Sequence, residues 1–292
     1  MANLKEVRTR IASVSSTQQI TSAMKMVSAA KFRRAQNAII GMRPYAAQLN
    51  EIISDIDVGD GVQTPYHEIR KLDNVLLVVV VSNKGLCGAF NSNVLKEASQ
   101  RMDYYAQHHA GAKVSMITVG KRATEFFSKR KDLVVGSHDE LLDAPTFDAI
   151  ATVAESIMVQ FCEKKYDRVE LVYNQFKNSL TQILSTEQFL PVQPAKEQQS
   201  ANHSRQSDYI YEPSKEEILR EMIPLTLRSQ FYRVILDSLA AEHGARMTAM
   251  QKATDNATEL LKDLRLSYNK ARQASITNEI IEIVSGSEAL KG

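Results

Sequence analysis

The residues best placed to do chemistry sit in one turn, Ser82-Asn83-Lys84-Gly85-Leu86-Cys87-Gly88-Ala89-Phe90-Asn91, just after the apolar run Val75–Val81. A glycine-rich turn after a strand can cradle phosphate through its backbone amides, and a P-loop does so with the spacing G-x-x-x-x-G-K-[ST]. Here Gly85 and Gly88 stand three apart, no Lys-Ser or Lys-Thr follows, and a G-x-G-x-x-G fingerprint is missing too. The spacing favours a tight strand-to-helix turn, presented to a partner, over a nucleotide site. Cys87 could serve as a nucleophile only beside a positioned base, and the sequence identifies none, so an incidental thiol is favoured. His67, His108, His109, His138, His203 and His243 lack metal-ligand spacing with a cysteine or carboxylate. The adjacent pair His108-His109 reads as a solvated helix end, and no serine lies in a G-x-S-x-G elbow. The expectation is no catalytic set, no metal and no cofactor.

Bulk properties narrow the classes further. A chain of 292 residues with 43% hydrophobic content can bury one sizeable core. A net charge of +2 gives no bulk attraction to nucleic acid or to a membrane surface. Two cysteines, Cys87 and Cys162, make neither a disulfide framework nor a four-ligand zinc site, which fits a reducing compartment. The start, MANLKEVRTRIASV, is charged and has no continuous apolar stretch, unlike a signal peptide. Val75–Val81 is far too short to span a bilayer, so any membrane association is expected to run through a partner.

Two long helical stretches dominate the organisation. From Leu225 to Ser285 there is one glycine, Gly244, and no proline, and Gly286 stands where a helix is expected to stop. At 1.5 Å per residue such a helix would be roughly 90 Å long. Met247, Met250, Thr254, Ala257, Leu261, Leu264, Tyr268, Ala271, Ser275 and Asn278 follow alternating steps of three and four, a coiled-coil seam that turns small and polar toward its end. Residues 2–56 form the second stretch, with a seam of Leu4, Val7, Ile11, Val14, Gln18, Thr21, Lys25, Ser28, Phe32, Ala35 and Ile39. Gly41 and Pro44 are expected to bend or loosen it, and Val58–Pro65 to end it. Pro224 either kinks the C-terminal stretch or begins its second section.

Between them lies a strand–helix alternation. Strands are expected at Val75–Val81, Lys113–Val119, Leu133–Val135 and Arg168–Tyr173, with a further one at Ile183–Val192. Helices are expected at 92–109, 122–129 and 147–165. That order argues for an α/β domain with a mainly parallel, Rossmann-like sheet. The polar segment 194–208 reads as a surface loop. The fold class expected is therefore α/β plus a long coiled coil: a shaft helix at 2–56, a central foot domain at 72–212 and a shaft helix at 214–286. The two long helices pair antiparallel as one unit.

Lys5, Arg8, Arg10, Lys25, Lys31, Arg33, Arg34 and Arg43 face Glu6 alone before residue 51. An acidic protein partner is favoured over plain solvation, and nucleic acid is disfavoured because only Phe32 interleaves the charges. Met24, Met26, Met247 and Met250 suit an imperfect seam.

Four segments then carry a family resemblance. QITSAMKMVSAAK (19–31), GLCGAFN (85–91), YIYEP (209–213) and YNKARQASITNEIIEIVSG (268–286) resemble the gamma subunit of rotary, F-type ATP synthases essentially end to end. One departure is Ser287, where that family usually has alanine, and the cysteine-bearing insert of the chloroplast type is missing. The resemblance implies a non-catalytic rotor shaft in the cavity of an alpha–beta hexamer. The α/β domain would sit on the epsilon subunit and the c-ring, at the cytoplasmic face of the bacterial inner membrane. It implies beta-subunit contacts at Arg272, Gln273, Thr277 and Glu279, with Met24 and Lys25 on the other helix. It implies base contacts, toward epsilon and the ring, at Gly85, Leu86, Cys87, Gly88, Tyr209, Tyr211 and Glu212. Two rival readings predict different behaviour. An enzyme would bind ATP as an isolated chain, and a basic-helix nucleic-acid binder would show salt-sensitive DNA binding.

Overall fold

A computed structural model describes residues 4–60, 64–109, 111–130, 132–178, 181–192 and 214–289. The chain order is α1 (Leu4–Asp60), a 3-10 turn (Pro65–His67), β1 (Asn74–Val80), α2 (Phe90–His108), β2 (Lys113–Val119), α3 (Lys121–Phe127) and β3 (Val134–Ser137). There follow a second 3-10 turn (Asp139–Leu142), α4 (Phe147–Cys162), β4 (Arg168–Phe176), β5 (Gln182–Leu190) and α5 (Lys215–Ala289). The long N- and C-terminal helices and the mainly parallel sheet are as the sequence pattern requires. The chain separates into two compact units: residues 1–28 with 247–292, and residues 29–246.

In the larger unit the strand order is β3-β2-β1-β4-β5, with β4–β5 antiparallel and every other pair parallel. The run from Val75 to Val80 is buried on both faces, as a central parallel strand must be. Val75, Leu77 and Val79 meet Val94, Ala98 and Phe127 of α2 and α3 on one face. Leu76, Val78 and Val80 meet α4 and α5 on the other, where Ile157, Phe161, Leu227, Phe231 and Val234 complete the main core. This alternation follows from the two-residue period of a strand. Ile39 of α1 packs on Leu236 and Ala240 of α5, and Phe32 stands edge-on to Phe176.

In the smaller unit α1 and α5 run antiparallel. Gln18 Nε2 donates to Thr258 Oγ1 at 2.7 Å, the Thr21 and Thr254 hydroxyls are 2.8 Å apart, and Lys25 Nζ donates to Gln251 Oε1 at 2.7 Å. Every α1 seam residue of this unit is at least half-buried, as are Met247 to Ser275 of the α5 seam; Asn278 is exposed.

The C-terminal helix differs from expectation at its end. Pro44 lies inside α1, Pro224 lies inside α5, and α5 continues through Gly286 to Ala289. A helical glycine costs about 1 kcal/mol against alanine, which weakens a helix without ending it. Gly286 is not in the left-handed conformation that a terminating glycine adopts. The strand at Leu133–Val135 lies instead at Val134–Ser137, and β4 reaches three residues past Tyr173 to form the antiparallel hairpin with β5. The segment 194–208 falls outside the described residues.

Candidate functional site

Three places bear on function, and each is built by a different element. The first is the crevice beyond the carboxyl end of β1, where the strand order reverses and where open parallel sheets usually take their ligands. Its turn is held from within. Ser82 Oγ donates to the Lys84 carbonyl at 2.6 Å, and the Ser82 amide donates to Asn91 Oδ1 at 3.0 Å. Asn83 Nδ2 donates to the Asp139 carbonyl at 2.9 Å, while Asn83 Oδ1 accepts from the Lys121 amide at 3.0 Å. The carbonyls of Lys84 and Gly85 accept from the Arg246 guanidinium, at 2.7 and 3.2 Å. Arg246 is itself paired with Glu242 at 2.6 Å, and both side chains are buried. The α5 guanidinium thus caps two carbonyls of the turn.

The turn's chemistry follows from that packing. Cys87 is buried, its Sγ accepts from Asn91 Nδ2 at 3.3 Å, and burial pushes the thiol above its ordinary range. A protonated, buried thiol is a poor nucleophile. Gly88 has φ +63°, and Leu86 adopts φ +62°, unusual for a branched residue, while remaining exposed. Next to Arg246, His243 is held down to about 4, by burial first and then by the charges of Arg246 and Lys31. Burial raises Glu242, although the Arg246 charge works against it. Of the other base residues inferred from sequence, Tyr209, Tyr211 and Glu212 lie outside the described residues.

The second place is the outer surface of the paired helices. Met24 and Lys25 are both half-buried, and Lys25 spends its ammonium on Gln251 in the seam. The more exposed apolar groups there are Ile20, Met26 and Val27, at 60, 63 and 58%. Ile20 and Val27 lie off the seam and were passed over for that reason, whereas Met26, expected to fill the seam, instead stands outside it. Arg10 pairs with Glu6 at 3.0 Å, one helical turn away, so part of the basic stripe is internally balanced.

The third place is the end of α5. The paired residues above have numbers summing to 275 or 276, so Leu4 stands level with residues 271–272. From there to Ala289 the helix runs past the first described residue of α1, for about 25 Å at 1.5 Å per residue. Arg272, Gln273, Thr277 and Glu279 are all exposed on this stretch. Thr277 Oγ1 donates to the Gln273 carbonyl at 2.9 Å, and Ser275 Oγ donates to Glu279 Oε1 at 3.4 Å. All four thus lie within about two turns of the same exposed helix. Lys25, level with Gln251, lies about 30 Å lower along the axis and belongs to a separate surface. Ile276, Ile280, Ile283 and Val284 follow a helical spacing and stand 45, 55, 72 and 52% exposed. The sequence reading took this end as small and polar because it followed one seam; the isoleucines lie beside it.

Comparison with known proteins decides what such a chain is. A family model described as ATP synthase matches residues 3–290. The ATP synthase gamma chain of Flavobacterium johnsoniae is 55% identical, covering all of both chains. That of Flavobacterium psychrophilum is 54% identical with the same coverage. The chain belongs to the ATP synthase gamma chain family. It is accordingly a non-catalytic, central-stalk component of the synthase. In fold it is similar to a chain of the Euglena gracilis mitochondrial ATP synthase (OSCP/F1/c-ring, rotational state 3), with TM-score 0.69 and 24% identity over 98% of this chain and 94% of that one. A chain of the Euglena rotor in rotational state 1 gives TM-score 0.64 at 23% identity, covering 94% and 98%. Among the described residues no helix is long and apolar enough to cross a membrane.

Proposed function

We propose that this chain is the shaft that couples ion-driven turning of a membrane c-ring to ATP synthesis and hydrolysis on beta subunits. The observation that carries the reading is the end of α5. It is a single helix leaving its partner with Arg272, Gln273, Thr277 and Glu279 exposed beside the uncovered Ile276, Ile280, Ile281, Ile283 and Val284. Family membership supports an alpha–beta hexamer around that end, with the epsilon subunit and the ring toward the α/β unit, at the cytoplasmic face of the bacterial inner membrane. The turn at Gly85, Leu86, Cys87 and Gly88 belongs to the epsilon and ring side in this reading.

Coupling requires contacts that differ between beta-subunit conformations, because a shaft binding all of them equally shifts none. Arg272 and Glu279 can make charge-assisted bonds at one angle and release them at the next. The aliphatic groups suit this only as a non-directional bearing, since apolar contact has no preferred angle. The experiment is reconstitution of the membrane-bound complex with Arg272→Ala plus Gln273→Ala. Lower ATP-driven ion pumping per ATP hydrolysed is expected; unchanged pumping and assembly would remove these residues from the coupling surface.

A further inference from the structure

Where α5 crosses the hairpin β4–β5, one ion pair has no role in the surfaces described above. Arg233 Nη2 lies 2.8 Å from Glu187 Oε2 on β5, and its Nη1 lies 3.5 Å from Asp237 Oδ2 one turn along α5. The other Glu187 oxygen accepts from the Tyr173 hydroxyl of β4 at 2.5 Å. The guanidinium is therefore fixed from two sides, and the carboxylate that holds it is fixed by a neighbouring strand. Around it the contacts between α5 and the sheet are largely apolar, with Phe231 against Phe189 at 5.7 Å between ring centroids. Apolar contact resists separation but is weakly directional. On the α1 side packing is also incomplete: a cleft of about 180 Å³ lies beside Arg233, walled by Ile39, Met42, Phe176 and Leu236.

We propose that Arg233, held by Glu187 and Tyr173, is a positioning residue that keys α5 against twisting on the sheet, and so sets the torsional stiffness with which torque passes along α5. A helix that rotated about its own axis would carry the Arg233 side chain off Glu187 within a fraction of a turn. A charge-assisted pair with fixed geometry opposes that motion in a way the aliphatic neighbours do not. This inference rests on the rotor reading given above.

The test uses the assembled complex, its hexamer fixed to a surface and a bead attached through a cysteine placed at exposed Lys129. With hydrolysis stalled, the angular spread of the bead reports stiffness. Glu187→Gln and Arg233→Met should each lower the stiffness to about half that of wild type, seen as a wider spread. The double substitution should add little, and Arg233→Lys should recover part of the loss. Phe189→Leu, which weakens the same interface without touching the ion pair, should lower Tm and leave stiffness unchanged. Equal stiffness in wild type and both single variants would overturn the proposal. So would softening that tracks Tm across Phe189→Leu as well. A wild-type bead that never turns when ATP is supplied would instead sink the rotor reading itself.

Discussion

Two stretches of the same helix show how differently one secondary structure can be maintained. Along residues 219–246 of α5, Leu219, Ile223, Leu227, Phe231, Val234 and Leu239 are buried in the main core. Along 247–289 only Met250, Ala257 and Leu261 are buried, and beyond Ser275 every described side chain is exposed. The first stretch owes its stability to tertiary packing. The second depends on a narrow seam and on helix-forming residues such as Ala, Leu, Lys and Glu. A helix so thinly supported at one end is suited to a surface that partners cover and uncover.

Substitutions should separate the two stretches by size of effect. Phe231→Ala empties a fully buried ring site, and should cost about 3–5 kcal/mol in urea unfolding. Leu261→Ala removes a buried seam residue from a structure only two helices thick, which can partly close the gap. Its cost should be near the low end for such changes, about 2 kcal/mol. Finding Leu261→Ala as costly as Phe231→Ala would erase the contrast.

In the first stretch, acid should act through a buried imidazole. His243 is held down to about 4 in the folded chain, against an ordinary value of 6.5. Its neutral form is therefore favoured by folding. That contribution is complete above pH 6.5 and is lost as the pH falls from 6.5 toward 4. Allowing for partial solvent screening, the loss is about 1–2 kcal/mol. The difference in urea stability between wild type and His243→Gln, followed across that window, isolates it from the titration of Glu242 and other carboxylates. A parallel pH profile for the two proteins would count against the buried, neutral imidazole. The smallest effect is expected at the far end. Ile280→Ser should change the stability of the free chain by less than about 0.5 kcal/mol, since the side chain is already 55% exposed. It should nevertheless weaken association with alpha and beta subunits in co-purification.

What could be read from the chain before its coordinates tracks the strength of the periodic signal. The seams of both helices were legible because a 3–4 pattern sustained over many turns has few alternatives, and Leu4 through Ile39 all proved at least half-buried. The continuous valine-rich strand β1 was equally plain. Element ends were less so. Gly286 looked like punctuation, yet a local penalty of about 1 kcal/mol does not stop a helix whose neighbours have good propensity. The antiparallel direction of β5 shows only in its pairing with β4, from Phe176 with Gln182 to Val169 with Leu190, which periodicity does not encode. Arg246 in the β1 crevice was invisible because its partners, Lys84 and Gly85, lie far away in sequence. Lys25 was read both into the seam and, by resemblance, into a beta-subunit contact, and its ammonium lies on Gln251 as the seam position requires.

The measurement that bears most directly on the shaft reading is amide hydrogen exchange along α5, in the free chain and in the assembled synthase. In the free chain, residues 219–246 should exchange slowest and residues 276–288 fastest. On assembly, exchange at 276–288 should slow by about a hundredfold or more as the hexamer covers them. Equal exchange at 276–288 in both states would contradict the shaft reading.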